Sequence, residues 1–253
     1  MNYFAYATAA ERYARYRPYF HPLVIARIRQ FLRLQEPVDC AVDAACGAGQ
    51  SSLALTAMAR EVIGIDASES MLAQAPAHAR IRYLQSPAEQ LPLPKQSADL
   101  VTVSLALHWL DRERFLAEVR RILRPGGALV VYGNDFRGRM LENPEFTRWS
   151  KERYLGRYPV PPRNKEPLTD AAAHGYGFAF LGRETYTNEV TYTPEELVSY
   201  LTTHSNIIAA VEAGGQSFAD VESDLLGSVR AQFHGPTGTF VFGGDIWYLQ
   251  PLP

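Results

Sequence analysis

Apolar positions along this chain follow two periods, one helical and one alternating or continuous over short runs. Residues 4–17 and 22–34 predict two helices, the second with Leu23, Ile25, Ile28, Phe31 and Leu32 as its apolar stripe. Pro22 suits a first helical position. Strands are then predicted over 38–44, 61–66, 80–85, 98–105 and 127–133, interleaved with helices over 50–60, 68–75 and 111–123. Ser68 and Asp111 stand where N-caps belong, and Arg124-Pro125-Gly126-Gly127 carries helix-stop chemistry. Strands alternating with helices at these lengths predict a parallel sheet with right-handed crossovers.

After Val131 the pattern changes. Residues 134–167 are rich in aromatics and arginines, and Tyr158-Pro159-Val160-Pro161-Pro162 reads as an extended connector. Arg183 to Tyr192 alternates as a strand, and Thr193 caps a helix opened by Pro194-Glu195-Glu196. A further helix is predicted over about 217–232, and a last strand over Thr239–Leu249, interrupted at Gly243-Gly244. The expected fold is α/β, doubly wound, with a mostly parallel seven-stranded sheet and a helical cap. The expected division is 1–35 as an N-terminal helical lid, 36–133 as the ligand-binding core, 134–235 as a cap with one core strand near 183–192, and 236–253 as a terminal core strand.

Composition narrows the classes. Of 253 residues 47% are apolar and 21% charged, enough to bury a core and unlike a disordered chain. Twenty-five basic against 27 acidic residues give a net charge of −2, so no overall field draws the chain to nucleic acid or membrane. The positive charge is nearly all arginine; Lys95, Lys151 and Lys165 are the lysines. The Met1-Asn2-Tyr3 start carries no leader pattern, and no apolar run approaches the ~20 residues of a membrane span. Cys40 and Cys46, spaced across a predicted strand and turn, are too far apart to bridge, which fits a reducing cytoplasm. His21, His78, His174 and His234 show no metal-ligand spacing, so no metal is expected.

The chemistry-bearing stretch is Val42-Asp43-Ala44-Ala45-Cys46-Gly47-Ala48-Gly49, followed by Gly64-Ile65-Asp66. An apolar run feeds a glycine turn and a small-residue helix, and a second apolar run ends on an acid 19 residues past Gly47. That arrangement lets a backbone approach a ligand, and the acid can accept two hydrogen bonds from ribose hydroxyls. A dinucleotide fingerprint calls for a third small residue where Ser52 stands.

The Asp43–Gly49 loop resembles the D-x-G-x-G-x-G loop of class I S-adenosylmethionine-dependent methyltransferases, with Ala45 in place of the first glycine. Ser86-Pro87-Ala88-Glu89-Gln90-Leu91-Pro92 resembles that family's adenine-contacting loop, with Pro87 where an acid is frequent, so Glu89 or a carbonyl near Ala88 must meet the adenine amine. Three further stretches are similar to the branch that includes trans-aconitate methyltransferase. They are Ser104-Leu105-Ala106-Leu107-His108-Trp109, Tyr6-Ala7-Thr8-Ala9-Ala10 with Tyr13-Ala14-Arg15-Tyr16-Arg17-Pro18, and Tyr200-Leu201-Thr202-Thr203-His204-Ser205. The resemblance implies a Rossmann-like sheet, S-adenosyl-L-methionine as cofactor and a methyl acceptor that is a small molecule rather than nucleic acid.

Cofactor contacts are expected from Asp43, Ala45, Gly47, Gly49, Asp66, Ala67, Met71, Ala88, Glu89, Ser104, Arg15 and Tyr16. His108, Trp109 and Arg17 are expected at the reaction. His108 either orients or deprotonates the acceptor or packs under the cofactor, and Arg15 or Arg17 can clamp a carboxylate. His204 is a further candidate. Methyl transfer is an in-line displacement in which alignment matters more than a base. The expected reaction is O-methylation of a small carboxylate or alcohol. The alternatives are N-methylation, methylation of RNA or protein, and a cofactor-binding protein without turnover.

Overall fold

The computed structural model describes residues 4–164 and 166–253; the start Met1-Asn2-Tyr3 and Lys165 lie outside the described residues. The first elements are α1 (Ala7–Tyr16), α2 (His21–Phe31), β1 (Val38–Ala44), α3 (Gln50–Leu55), β2 (Ala59–Asp66), α4 (Glu69–Leu72) and β3 (Ile81–Gln85). Then come β4 (Ala98–Ser104), α5 (Arg112–Ile122), β5 (Leu123–Tyr132), β6 (Asp135–Met140), α6 (Phe146–Trp149) and α7 (Leu155–Arg157). The chain closes with α8 (Asp170–Gly175), β7 (Phe178–Tyr192), α9 (Pro194–Leu201), α10 (Ser205–Ile208), α11 (Phe218–Arg230) and β8 (Gly238–Pro251). The strand order is β3-β2-β1-β4-β5-β8-β6, with β7 also paired to β8. Eight strands among the described residues are one more than the seven expected; the addition is β6, in a stretch read from sequence as part of the cap.

The chain forms two compact units. The first, here the parallel-sheet unit, comprises residues 19–133, 163–185 and 245–253. Strands β1 to β5 pair in parallel, and the second half of β8 runs antiparallel to β5, Leu129 facing Leu249 and Tyr132 facing Ile246. Strands covered on both faces read as continuous apolar runs, which is why Ala41-Val42, Val62-Ile63 and Leu129-Val130 are all buried. Val42, Val101, Val103, Leu129 and the α5 residues Phe115, Leu116 and Val119 belong to one core cluster. The Arg124-Pro125-Gly126-Gly127 stop ends α5 as expected, yet it lies inside β5 as an irregularity, since Ala98 pairs with Leu123 and Leu100 with Ala128. On α2, Val24, Ile25 and Ile28 face inward, while Leu23, read from sequence as part of the stripe, is 40% exposed. Phe31 stacks on Tyr248 with centroids 3.7 Å apart.

The second, aromatic unit comprises residues 4–18, 134–162 and 186–244. Its core gathers Phe146, Tyr200, Leu201, Phe240 and Phe242 with Tyr154 and Tyr158. Thr193 and Glu196 cap α9 reciprocally as a capping box. Arg12 of α1 pairs with Glu212 at 3.0 Å. The interruption expected at Gly243-Gly244 does not occur, because β8 continues through both. Gly243 pairs with Asp135 of β6, and a side chain there would meet the carbonyl of Tyr186, so this glycine marks a close backbone approach rather than a turn.

In the parallel-sheet unit His21 is buried beside Tyr132, its Nδ1 3.1 Å from the hydroxyl. Burial pushes its pKa down to about 3. A lowered histidine pKa contributes stability above the unfolded value of 6.5, and that contribution is lost as pH falls toward 3. Chemical denaturation of wild type and His21→Phe across pH 7 to 4 should therefore show the difference moving in favour of the variant as pH falls. Parallel curves would remove His21 from the acid limb.

Candidate functional site

The turn after β1 is built from small residues in left-handed backbone. Ala45 (φ 53°), Gly47 (φ 55°) and Gly49 (φ 73°) all take positive φ, and Gly49 is the N-cap of α3. Glycine adopts this region freely, whereas alanine is strained there. A side chain at Gly47 would come within 2.9 Å of the Met71 methyl, the movable end of a flexible side chain, so it is the positive φ that favours glycine here. At Gly49 it would come within 2.5 Å of the Tyr83 hydroxyl. Tyr83 reaches there because its register partner across β2 is Gly64, whose missing side chain leaves room for the ring. Nothing in the local sequence announces Tyr83; its role follows from pairing.

Asp43 is fully buried. Its Oδ2 accepts from the hydroxyls of Ser51 and Ser52, each at 2.6 Å, and its Oδ1 from Thr102 at 3.1 Å. Thr102 is the β4 register partner of Asp43, so the carboxylate ties β1, β4 and α3 together behind the loop. Burial pushes its pKa up to about 6 despite the three hydroxyls that favour the charged form. Asp43 thus holds the loop from behind, and Ser52, read from sequence only as a departure from a dinucleotide pattern, is one of its fasteners.

Asp66 ends β2. Its Oδ2 accepts from the Gly47 amide and its Oδ1 from the Ser68 amide, both at 2.8 Å, while Ser68 Oγ accepts from the Met71 amide to cap α4. Burial raises the Asp66 pKa, and these amides oppose the rise. Each carboxylate oxygen still has acceptor capacity beyond one amide. Next to it Ala67 is exposed and Met71 buried. Cys46 is buried too, and its thiol pKa is pushed well up by burial, with the charges of Asp43 and Asp66 adding to the effect.

Ala88 is buried, and Glu89 Oε1 accepts from the Asp111 amide at 2.9 Å, so this acid is engaged with the start of α5. At the carboxyl end of β4 the Ser104 hydroxyl is buried without a hydrogen-bond partner among the described residues, and Leu105 adds a further positive φ of 55°. A 3-10 turn, Leu107–Trp109, follows. His108 accepts the Asn164 amide at its carbonyl, and its Nε2 lies 3.5 Å from Arg163 Nη1. Burial, with Arg163 and Arg112 adding repulsion, lowers its pKa to about 4, so the imidazole is neutral at pH 7. Its ring lies 4.9 Å from that of Trp109. Arg163 was not foreseen from the sequence, since it is 55 residues away.

Arg15, Tyr16 and Arg17 belong to the aromatic unit. Arg15 is exposed with its guanidinium over the Tyr16 ring. Arg17 lies over the rings of Tyr13 (4.8 Å) and Tyr200 (5.5 Å) and donates to the Thr203 carbonyl at 3.2 Å.

The parallel-sheet unit fits S-adenosylmethionine on its own geometry. No side chain from 45 to 49 exceeds a cysteine, Asp66 presents a fixed carboxylate at a strand end, and Ser104 offers an unpaired hydroxyl. When bound, the sulfonium supplies an activated methyl group.

Residues 42–131 match the family model for a methyltransferase domain. Over 233 residues the chain is 28% identical to an uncharacterized methyltransferase of Mycobacterium tuberculosis, covering 89% of this chain and 84% of the relative. Over 91 residues it is 41% identical to the malonyl-acyl-carrier-protein O-methyltransferase of Pectobacterium atrosepticum, covering 35% and 36%. Among solved structures it resembles a protein assigned as a type II methyltransferase from Anaeromyxobacter dehalogenans, with TM-score 0.68, 26% identity and coverage of 90% and 97%.

Strain at Ala45 has a measurable consequence. Because left-handed backbone costs a non-glycine residue about 1–2 kcal/mol, and glycine gives some of that back as unfolded-state entropy, Ala45→Gly should stabilise the protein by about 1 kcal/mol. A denaturation midpoint that is unchanged or lower in the variant would contradict this.

Proposed function

We propose that the chain, an S-adenosylmethionine-dependent methyltransferase, transfers the methyl group of that cofactor to an oxygen of a small-molecule acid or alcohol. The observation that carries this reading is Arg17. Its guanidinium has no carboxylate within ion-pair distance among the described residues, its Nε is buried without a partner, and aromatic rings flank it. A cation so placed is poorly compensated, and an anionic acceptor supplies what it lacks. The O-methylation named for the Pectobacterium relative supports the choice of oxygen.

Two of the basic residues at the end of α5 are engaged within the chain. Arg121 pairs with Glu118 at 2.7 Å and donates to the carbonyls of Leu91 and Leu93, and Arg124 pairs with Asp99 at 2.7 Å. In the cofactor site Gly47, Gly49 and Asp66 hold the ligand, with Ala45, Ala67, Met71, Ala88, Glu89 and Ser104 around it and Asp43 behind. Trp109 follows β4 in the parallel-sheet unit, its ring 4.9 Å from that of His108. His108, with a pKa near 4, is a weak base at neutral pH and serves to pack or orient.

Asp66→Ala, with the fold checked by circular dichroism, should weaken S-adenosylmethionine binding roughly 10–100-fold, as expected for a charge-assisted contact. Calorimetry giving wild-type affinity would remove Asp66 from the site. Arg17→Lys should raise the acceptor KM more than the cofactor KM, since lysine cannot present a planar fork. His108→Asn should lower kcat by less than about 10-fold, below the usual contribution of a general base. Product mass spectrometry showing methyl transfer to nitrogen alone would overturn the reading for oxygen.

A further inference from the structure

The carboxyl end of β4 gathers positive charge around one imidazole. The strand exits through Ser104, whose buried hydroxyl has no partner among the described residues, and through Leu105, held at a φ of 55°. Open parallel sheets bind ligands at this end, and strained backbone collects at such sites. The turn Leu107–Trp109 then carries His108, and α5 opens on Arg112. Residues 163 and 164 are fastened to the same turn. The Asn164 amide donates to the His108 carbonyl at 3.1 Å, and Arg163 Nη1 lies 3.5 Å from His108 Nε2. All of these residues belong to the parallel-sheet unit.

The Arg163 contact fixes the state of the imidazole. A guanidinium only donates, so Nε2 accepts, and a neutral imidazole with a bare Nε2 carries its proton on Nδ1. Burial, helped by the charges of Arg163 and Arg112, keeps the ring neutral at pH 7. His108 is therefore a hydrogen-bond donor in the company of two cations. Neither arginine takes part in an ion pair among the described residues, and Arg112 Nε is buried without a hydrogen-bond partner. Two neighbouring acids are engaged with backbone, Glu89 with the Asp111 amide and Asp111 with the Arg114 amide, while Glu113 is exposed.

We propose that Arg163, Arg112 and His108 Nδ1–H form a carboxylate-binding subsite at the exit of β4. A carboxylate offers two oxygens to a guanidinium fork and keeps lone pairs for an imidazole N–H. Its charge also offsets the two cations that meet across a neutral ring. Two molecules bring such a group: the cofactor, at its amino-acid end, and the acid acceptor. The first source depends only on the cofactor, whereas the second rests on the acid reading above. Arg163 has a second task as a positioning residue, since its bond to Nε2 keeps the proton on Nδ1.

Calorimetry with S-adenosylhomocysteine and with methylthioadenosine, which keeps the nucleoside but has no carboxylate, separates the sources. Arg163→Gln retains a donor toward Nε2 and removes the charge; Arg112→Gln is its companion. If the subsite takes the cofactor, each variant should bind S-adenosylhomocysteine about 10-fold more weakly and methylthioadenosine as wild type does, which also shows that the variants fold. If it takes the acceptor, S-adenosylhomocysteine affinity stays the same. Benzoate and succinate should then move the His108 signals in nitrogen-15 NMR of wild type, and both variants should lose that response. The His108 signal is identified by its absence in His108→Asn, and in ligand-free wild type at pH 7 it should show Nδ1 protonated and Nε2 bare. A proton on Nε2 would overturn the subsite. So would variants that weaken both nucleosides alike, or unchanged S-adenosylhomocysteine binding together with a His108 signal that ignores carboxylates or answers only to inorganic phosphate. Such failures leave the O-methylation reading standing, whereas methylation on nitrogen alone removes that reading and leaves the cofactor arm intact.

Discussion

A buried carboxylate organises the ligand-binding end of the parallel sheet. Asp43 has no solvent to support its charge, so it is held by three hydroxyls drawn from two places, Ser51 and Ser52 after the loop and Thr102 on the neighbouring strand. Removing one partner of such a group leaves desolvation uncompensated, which is why buried charges of this kind act as clamps. The loop between β1 and α3 is strained at Ala45, and the clamp together with the Asp66–Gly47 bond is what over-determines it. The two acids therefore work from opposite sides, Asp43 from beneath and Asp66 from the strand end.

Much of this was legible in the sequence because the relevant signals are local. Strand–turn–helix periodicity, glycines at 47 and 49, and an acid closing the next apolar run all sit within 24 consecutive positions, 43 to 66. The caps at Ser68, Asp111 and Thr193 were readable for the same reason. What could not be read depends on register. Thr102 meets Asp43 across 59 residues, Tyr83 meets Gly49 through the gap left by Gly64, and Arg163 reaches His108 from a proline-flanked connector. Strand β6 is a different case. Asp135-Phe136-Arg137-Gly138-Arg139-Met140 does alternate, but a glycine and two arginines masked a pattern whose Gly138 and Met140 are buried.

The two units divide the physical tasks. In the parallel-sheet unit the site depends on backbone conformation and fixed carboxylates, and side chains there are small. In the aromatic unit large rings set the environment of the Arg17 guanidinium and of His204, and Tyr154 links His204 to Asn206. A loop of small residues has little to offer in distinguishing one acceptor from another. Rings around a half-buried guanidinium impose shape and charge together.

Cys46 lies within the glycine loop of an enzyme whose cofactor is itself an alkylating agent. Thiolates, not thiols, attack such carbon centres, and burial next to two carboxylates keeps this sulfur protonated. Burial first, and then the same negative charges that hold the loop, thus disfavour the thiolate that self-methylation would need.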